Sequence, residues 1–301
     1  MQNSYHFGRG WSRLIPYLLL LPGLLLYLML GVGPSMATAI FSFTDVSGVP
    51  GALWQWIGLK NYSEFLFLGV GVRDNIEPLV RTLIFCFFVT TVQTSISLLV
   101  AMLLNLKLKG TNAYRALFFI PVILGVTVNG MMWNLFLYPL DGPAQSILKL
   151  FGTRSDFLGS PQSAFAWVIF VQIWSSMGYS MVIFLAGLQN ISKELIEAGT
   201  IDGATVWQSF YYITFPLLAP TLTTNIMLAV IGSLQSWAIV LVLTGGQFMT
   251  SVIGFQIYQN AFGGGMRQGY AASISMIQFL LILVVALVVQ TYMRRREERL
   301  S

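Results

Sequence analysis

The sequence predicts an all-α, polytopic membrane protein with six transmembrane helices in a single domain, residues 1–301. Hydrophobic residues make up 56% of the chain and charged residues only 9%, whereas soluble domains carry about 25% charged residues. The mean hydropathy is +0.74. The apolar residues gather in six runs, each long enough to cross about 30 Å of hydrocarbon as a helix. Together these observations place the chain in a bilayer.

The six apolar runs are the predicted spans. In chain order they cover approximately residues 14–40, 81–106, 117–138, 164–188, 217–243 and 271–292. The first run is too long for the apolar region of a signal peptide, contains three prolines and has no clear cleavage site, so it is predicted to be retained. The first outer loop, residues 42–78, holds Trp54, Trp56 and Tyr62, which fit an interfacial aromatic belt.

Basic residues set the predicted orientation. The short loop from Lys107 to Arg115 carries three basic residues and no acid, and such loops face the cytoplasm. This places both termini and the connection 190–215 in the cytoplasm, in a multi-pass protein of the cell (inner) membrane. The formal charge of +5 does not indicate nucleic-acid binding, because the basic residues lie at the ends of apolar runs rather than on one surface.

The connection between the fourth and fifth spans is predicted to fold into two short helices. Ser192 is expected to cap a helix from residue 193 to about residue 200, because its hydroxyl accepts a free N–H of the first turn. Asp202 and Gly203 then break the helix, and a second helix is expected from residue 204 to about residue 212, with Asp202 as its N-cap. A folded unit between two spans indicates a docking element rather than a linker.

The same connection carries a family signature. Glu197-Ala198-Gly199, then Gly203, then Ile213-x-Phe215-Pro216, resembles the EAA motif of the membrane subunits of binding-protein-dependent ABC importers. The chain is identified as a member of the sugar-importer branch, which includes maltose-permease-like and glycerol-3-phosphate-permease-like proteins. Gly199 stands where the motif has a second Ala, and Phe215 stands where it has Leu.

The resemblance implies the type I ABC importer permease fold, in which residues 190–215 are the coupling loop and lie in a cleft of a cytoplasmic ATPase subunit. The residues implied in this contact are Glu197, Ala198, Gly199, Asp202, Gly203 and Ala204. The implied partners are a second homologous permease, two ATP-binding cassette subunits that bind ATP and Mg²⁺, and an extracytoplasmic substrate-binding protein. No cofactor is expected on this chain.

Four further stretches resemble the family, so that the resemblance extends over residues 14–292. They are Gly58–Tyr62 (G-L-x-N-Y), Arg115–Pro121 (R-x-L-F-F-L-P), Thr244–Gly246 (the start of T-G-G-G-P) and Gly269–Ala272. Gln247 and Phe248 replace the last Gly and Pro of the third stretch.

Residues for catalysis or ion coupling are missing from the predicted spans. No G-x-x-x-x-G-K-[ST] phosphate loop occurs, and the single Cys86 and single His6 provide neither a disulfide framework nor a metal cluster. All eleven acids lie outside the apolar cores, whereas proton- or sodium-coupled carriers usually need an ionisable group, or the carbonyls of broken helices, near the midplane. The chain is therefore predicted not to be an enzyme and to draw its energy from another subunit.

Uncharged polar residues of the fourth and fifth spans are predicted to line a path for a neutral polyol. They are Gln172, Ser176, Tyr179, Ser233, Gln235, Ser236 and Trp237. The first three recur on one helix face, and their amide, hydroxyl and aromatic groups suit a sugar. In maltose-permease-like proteins, similar stretches line the sugar cavity. The alternative is that these Ser and Gln side chains join helices, as is expected of the polar cluster 90–97 in the second span.

The predicted function is the permease subunit of an ATP-driven importer, forming the path for a sugar, oligosaccharide or related polyol delivered by an external binding protein. Two alternatives stay open. One is the same machinery with a non-sugar cargo, such as a glycerol phosphodiester or an amino-sugar, and the other is a self-sufficient secondary carrier. An intramembrane enzyme is disfavoured, because the spans contain no acid pair, Ser/His pair or metal cluster.

Overall fold

In the computed structural model, which describes residues 11–68, 72–106 and 109–300, the regular structure is helical apart from one isolated bridge between Thr44 and Trp56. In chain order the helices are α1 (Trp11–Tyr27), α2 (Gly33–Phe41), α3 (Lys60–Ser63), α4 (Val72–Asn105), α5 (Thr111–Phe136), α6 (Pro143–Leu150), α7 (Ala164–Gln189), α8 (Lys193–Ile201), α9 (Val206–Ser209), α10 (Phe215–Leu217), α11 (Ala219–Leu234), α12 (Ala238–Thr244), α13 (Ile253–Ala261) and α14 (Gln268–Leu300). π-Helical turns occur at Leu28–Val32, Glu64–Leu68 and Phe210–Thr214, and a 3-10 turn at Phe157–Gly159. The predicted all-α fold is confirmed for these residues.

Five helical stretches are apolar and long enough to cross a bilayer. They are Pro16–Phe41, Ile76–Asn105, Thr111–Phe136, Ala164–Gln189 and Gln268–Arg296. A sixth is a bent pair, Val206–Leu217 followed by Ala219–Leu234 at 66°. The fold is therefore that of a polytopic membrane protein with up to six spans. Lys107, used above to predict the orientation, lies outside the described residues.

The fifth predicted span, residues 217–243, is not one straight helix. The chain bends at Leu218, where Pro216 and Pro220 supply no backbone N–H to the helix. It is interrupted again at Gln235–Trp237, between α11 and α12. The prediction of one span over residues 217–243 was wrong here, because a run of apolar residues does not show where the helix bends or stops.

Buried polar side chains replace backbone hydrogen bonds at two breaks inside the spans. At the end of α11, Nε2 of Gln278 donates to the carbonyl oxygen of Leu234 at 2.7 Å. In α5, Gly125 has non-helical φ and ψ angles of 75° and 165°, and Nδ2 of Asn129 donates to the carbonyl oxygen of Pro121 at 2.7 Å. Irregular backbone at membrane depth is tolerated where protein groups satisfy it in this way.

Helices α4 and α7 form the centre of the bundle, with α5 and α11 packed beside them. Gly178 of α7 allows close approach to α5, because a Cβ at this position would collide with the carbonyl oxygen of Phe118. Between α4 and α7, Nε2 of Gln93 donates to Oγ of Ser180 at 2.8 Å, and both side chains are buried. In this respect the polar cluster 90–97 joins helices, as predicted.

The first span stands apart from this bundle. Helix α2 packs on α14, whereas α1 packs substantially only against the π-helical turn that follows it. Apolar side chains of α1 and of this turn are exposed, for example Leu19 and Met29 at 76% each. Among the residues that the structure describes, little covers this apolar surface of α1.

The stretch Gly58–Tyr62 clamps the end of α2. Nδ2 of buried Asn61 donates to the carbonyl oxygens of Ser42 at 3.0 Å and Thr44 at 2.8 Å. The hydroxyl of Tyr62 donates to Oγ of Ser42 at 2.7 Å. Tyr62 is therefore partly buried in the clamp, unlike the exposed aromatic residue expected of an interfacial belt.

A bidentate ion pair joins this connection to the start of α14. Nη1 and Nη2 of Arg267 donate to Oε1 and Oε2 of Glu64 at 2.8 and 2.7 Å. The hydrogen bond from Arg267 lowers the pKa of the Glu64 carboxyl below its ordinary value of 4.5, and the same bond raises the pKa of Arg267. Both side chains are partly exposed, so the pair contributes at most about 1 kcal/mol to stability.

Candidate functional site

Residues 192–214 form a compact unit between two spans, which we call the α8–α9 segment. Oγ of Ser192 accepts a hydrogen bond from the N–H of Glu194 at 3.3 Å and caps α8, as predicted. Helix α8 continues to Ile201, and α9 leads through a π-helical turn into α10 at the start of the fifth span.

The turn after α8 is a Schellman motif. The N–H of Ala204 donates to the carbonyl oxygen of Gly199 at 2.9 Å, and the N–H of Gly203 donates to that of Thr200 at 3.1 Å. Gly203 has a φ of +81°, a left-handed conformation that glycine adopts without penalty. The turn thus gives a physical reason for glycine at this position of the motif.

Thr205, and not Asp202, caps helix α9. Oγ1 of Thr205 accepts from the N–H of Gln208 at 3.4 Å, and Oε1 of Gln208 accepts from the N–H of Thr205 at 2.8 Å, which is a capping box. Asp202 is instead the C-cap of α8. The predicted cap was wrong because the Schellman turn occupies Gly203 and Ala204, so α9 begins only at Val206.

The predicted coupling residues lie mostly on the surface of the segment. Glu197, Ala198, Asp202 and Gly203 are exposed, Ala204 is half-buried and Gly199 is buried. Gly199 faces Ile213, since a Cβ there would lie 2.5 Å from Cδ1 of that side chain. Glycine in place of the motif's second Ala is thus consistent with the close approach of the two halves of the segment.

Three apolar side chains are exposed at the end of the segment. Ile201 and Val206 are each 86% exposed and Trp207 is 80% exposed. We call these three residues the apolar tip. Trp207 was not among the predicted site residues, although a tryptophan beside a turn in a predicted docking element was a signal for it. Exposed apolar surface of this kind marks an interaction site.

Helix α10, which follows the segment directly, contacts the last span. The guanidinium carbon of Arg296 lies 5.1 Å from the ring centroid of Phe215, a cation–π contact. The Phe215 ring also lies 5.9 Å from that of Phe210. Phe215 replaces the leucine of the motif, and its aromatic ring supplies the cation–π contact with Arg296 of α14.

Three of the predicted path residues form one hydrogen-bonded chain. Nε2 of Gln172 donates to Oγ of Ser176 at 2.9 Å, and Oγ of Ser236 donates to Oε1 of Gln172 at 3.3 Å. All three are partly exposed. These hydrogen bonds connect α7 to the interruption of the fifth span, and we call the three residues the Gln172 cluster.

Two other predicted path residues have different neighbours. Gln235 and Trp237 line a groove of about 480 Å³ with residues of α13 and α14. The Trp237 ring stacks on Tyr258, with centroids 4.7 Å apart and an interplanar angle of 17°. Tyr258 was not predicted, because no pattern in the sequence relates α13 to the fifth span.

The last two predicted path residues join neither group. Oγ of Ser233 is buried and donates to the carbonyl oxygen of Val230 at 3.0 Å within its own helix. Tyr179 is 49% exposed. Of the seven residues predicted as one path, five are therefore divided between the Gln172 cluster and the groove, and Ser233 and Tyr179 belong to neither.

A family model described as "Binding-protein-dependent transport system inner membrane component" matches residues 66–299. This chain belongs to that family. The match includes the α8–α9 segment, the Gln172 cluster and the interrupted fifth span. The chain is therefore a multi-pass membrane component of a binding-protein-dependent transport system, which we call the permease below.

Curated relatives of the permease match it over nearly their whole length. The "Probable starch degradation products transport system permease protein AmyD" of Thermoanaerobacterium thermosulfurigenes is 30% identical over 94% of each chain. The "Trehalose/maltose transport system permease protein MalF" of Thermococcus litoralis is 31% identical over 90% of this chain and 91% of that one. The "sn-glycerol-3-phosphate transport system permease protein UgpA" of Agrobacterium fabrum is 29% identical over 92% of each chain.

Solved structures share the fold of the permease. A chain of a bacterial ABC transporter involved in the import of the acidic polysaccharide alginate superposes with a TM-score of 0.82 at 23% identity. The match covers 96% of this chain and 99% of that chain. The permease thus has the fold of an ABC importer permease.

Proposed function

We propose that this permease forms half of the membrane path of an ATP-driven importer for a neutral sugar or oligosaccharide. The observation that carries the proposal is the α8–α9 segment, a folded unit between two spans that exposes both its motif residues and an apolar tip. The relatives named for starch degradation products and for trehalose and maltose support a sugar as the cargo.

The α8–α9 segment is the proposed contact with a cytoplasmic ATPase subunit. The apolar tip enters a cleft of that subunit, and the exposed Glu197 pairs with a basic residue there. ATP and Mg²⁺ bind to two such subunits and not to this chain. Closure of the ATPase dimer moves the segment, and the movement passes through α10 and the contact between Phe215 and Arg296 to the fifth and sixth spans.

The orientation of the permease in the membrane follows from the proposed contact between the α8–α9 segment and the ATPase subunit. An ATPase partner requires the α8–α9 segment to be cytoplasmic, and this places both termini on the same side. The connection that holds exposed Lys109 is separated from the segment by two spans and therefore lies on that side too. Basic residues such as Lys109 and Arg294 favour the cytoplasmic face.

Two further protein partners are proposed. A second, homologous permease covers the apolar surface of α1 and completes the path, since the Gln172 cluster is only partly enclosed by this chain. An external binding protein delivers the cargo. In support, a chain of the same fold was solved in an alginate transporter complex with "alginate pentasaccharide-bound periplasmic protein".

The Gln172 cluster is the proposed contact with the cargo. Its amide and two hydroxyl groups are uncharged donors and acceptors, which match the hydroxyl groups of a sugar. An anionic cargo is the second candidate, because UgpA is named for sn-glycerol-3-phosphate. An anionic cargo is best bound by a basic side chain in the membrane path, because opposite charges attract. The Gln172 cluster contains no basic residue.

The proposal is tested by reconstitution with charge-reversal variants. Proteoliposomes that hold this permease with its partner permease and ATPase subunits should take up labelled maltodextrins only with ATP and the binding protein. Glu197→Lys should abolish uptake while the complex still assembles, and Glu194→Lys on the same helix should retain it. Uptake by the permease alone, without ATPase subunits, would instead establish a self-sufficient carrier. Uptake of sn-glycerol-3-phosphate but not of maltodextrins would overturn the proposal that the cargo is a neutral sugar.

A further inference from the structure

A short hairpin follows α2 directly, and we call it the 45–55 hairpin. Its base is closed by a hydrogen bond of 3.1 Å from the N–H of Asp45 to the carbonyl oxygen of Gln55, and Oδ1 of Asp45 accepts from the N–H of Gln55. Next to the base, the indole of Trp56 stacks on Phe43, with centroids 5.5 Å apart and an angle of 15°. These contacts give the hairpin a defined shape.

The hairpin is fixed to the ends of two spans. It begins four residues after α2 ends at Phe41. The N–H of Gly48 donates to the carbonyl oxygen of Met266 at 3.1 Å, and the N–H of Gly269 donates to that of Val46 at 2.9 Å. Both attachments lie where α2 ends and α14 begins. The hairpin is therefore held at the level where the first and sixth spans meet the bilayer boundary.

The tip of the hairpin is apolar and open. Leu53 is 95% exposed, Trp54 55% and Val49 49%. No charged residue occurs from residue 46 to residue 59. Leaving such side chains in water forgoes about 1.5–3 kcal/mol of burial free energy for each large one. A surface of this composition therefore needs a cover.

Charged groups lie together on another surface of the same region. Asp45, Lys60, Glu64 and Arg267 line a recess of about 210 Å³ beside the base of the hairpin. The tip residues do not line this recess. The separation of charge from apolar surface is the arrangement expected at a boundary between water and lipid, with the recess on the water side.

We propose that the 45–55 hairpin is a membrane-interface anchor, whose residues Val49, Leu53 and Trp54 insert between lipid headgroups of the outer leaflet. Tryptophan is enriched at this depth, since its ring is apolar and its N–H reaches polar groups. A protein partner that binds and dissociates normally meets polar and charged groups around an apolar centre, and the stretch 46–59 offers no charge for that purpose.

The assignment to the outer leaflet rests on the orientation proposed above, but insertion itself does not. Spin labels on single cysteines test the depth, in a chain in which the buried Cys86 is replaced by alanine. The assembled importer is placed in nanodiscs of phosphatidylethanolamine and phosphatidylglycerol. The variants are Leu53→Cys and Trp54→Cys, with Lys60→Cys in the charged recess as the control.

The ratio of oxygen to nickel-chelate collisions should be several-fold higher at residues 53 and 54 than at residue 60. Equal ratios at the three positions would overturn the anchor. Labels at residue 53 that collide with the nickel chelate in the nanodisc, and lose this access when binding protein is added, would also overturn it and show a docking surface for that protein. A third outcome is that residue 53 lies in lipid while Thr200 is accessible from outside the cell. The hairpin would then still be a membrane anchor, but in the inner leaflet, and the proposed orientation of the permease would be wrong.

Discussion

Gly203 has a φ of +81°, and no atom lies within 4 Å of the position where a Cβ would be. A side chain there meets no steric collision, so its penalty comes from the backbone conformation alone, about 1–2 kcal/mol for most residues. We expect Gly203→Asn to retain most uptake, Gly203→Ala to lose more and Gly203→Val to lose most, because tolerance of this conformation falls in that order. Binding-protein-stimulated ATPase activity measures the loss.

Gly232 provides the matched control for this series. It also has open space around it, but it lies inside α11 without a positive φ. Gly232→Ala should leave the coupled ATPase activity unchanged, because alanine favours a helix more than glycine does. Equal effects of alanine at the two positions would show that the turn conformation is not what coupling requires.

The ion pair of Glu64 and Arg267 gives a stability that depends on pH. The folded-state pKa of Glu64 is lowered, so the pair stabilises the fold above the ordinary value of 4.5 and the effect is lost as pH falls through the folded-state pKa. Glu64→Gln should therefore lower the free energy of unfolding at pH 7 by less than about 1 kcal/mol, since both groups are partly exposed, and the thermal unfolding temperature should fall slightly. The difference between the two proteins should close below pH 4.5. If the two proteins still differed in stability by the same amount well below pH 4.5, the loss of stability in Glu64→Gln would come from altered packing and not from the ion pair.

At the scale of helices, two glutamines with similar bonds allow cargo contact to be separated from helix packing. Gln172 donates to Ser176 and is partly exposed, whereas Gln93 donates to Ser180 and is buried between α4 and α7. Gln172→Ala should raise the cargo concentration needed for half-maximal uptake and leave thermal stability nearly unchanged. Gln93→Ala should lower stability by about 1–3 kcal/mol, because it leaves a buried hydroxyl without its donor. Uptake and thermal unfolding in nanodiscs provide the two readouts, and a loss of stability alone in both variants would make Gln172 a packing residue.

The cap of α8 and most of the apolar runs were predictable because each depends on neighbours in the sequence. Ser192 caps α8 through the N–H of Glu194, and five of the six apolar runs match the long helices to within about six residues at each end. The breaks were not predictable. Gly125 and the interruption at Gln235–Trp237 are stabilised by buried Asn129 and Gln278, and the Gln278 donor is 44 residues from the carbonyl that it satisfies. Helical spacing also grouped Ser233 with Ser236, because it cannot show that α11 ends at Leu234, between these two residues.

For the whole molecule, the structure offers a continuous connection from the α8–α9 segment to the Gln172 cluster. The segment continues through α10 into the bend at Leu218, and α11 then ends at the interruption that holds Ser236. A second connection passes from Phe215 to Arg296 on the last span. A displacement of the segment is thus applied to both spans at their shared end. The interruption, like the bend at Leu218, is a point where the fifth span is not a continuous helix.

This connection requires the α8–α9 segment and the turn after α6 to lie on opposite faces of the membrane. Single cysteines at Thr200 and Thr153, both at exposed positions, test it in a chain with Cys86 replaced by alanine. In intact cells a membrane-impermeant maleimide should label Thr153→Cys at once, and Thr200→Cys only after the membrane is permeabilised, because one span, α7, separates the two positions. Gln208→Cys should behave like Thr200→Cys, since it lies in the same segment. Labelling of Thr200→Cys from outside intact cells would put the segment beyond the reach of any cytoplasmic ATPase, and coupling through it would then be physically impossible.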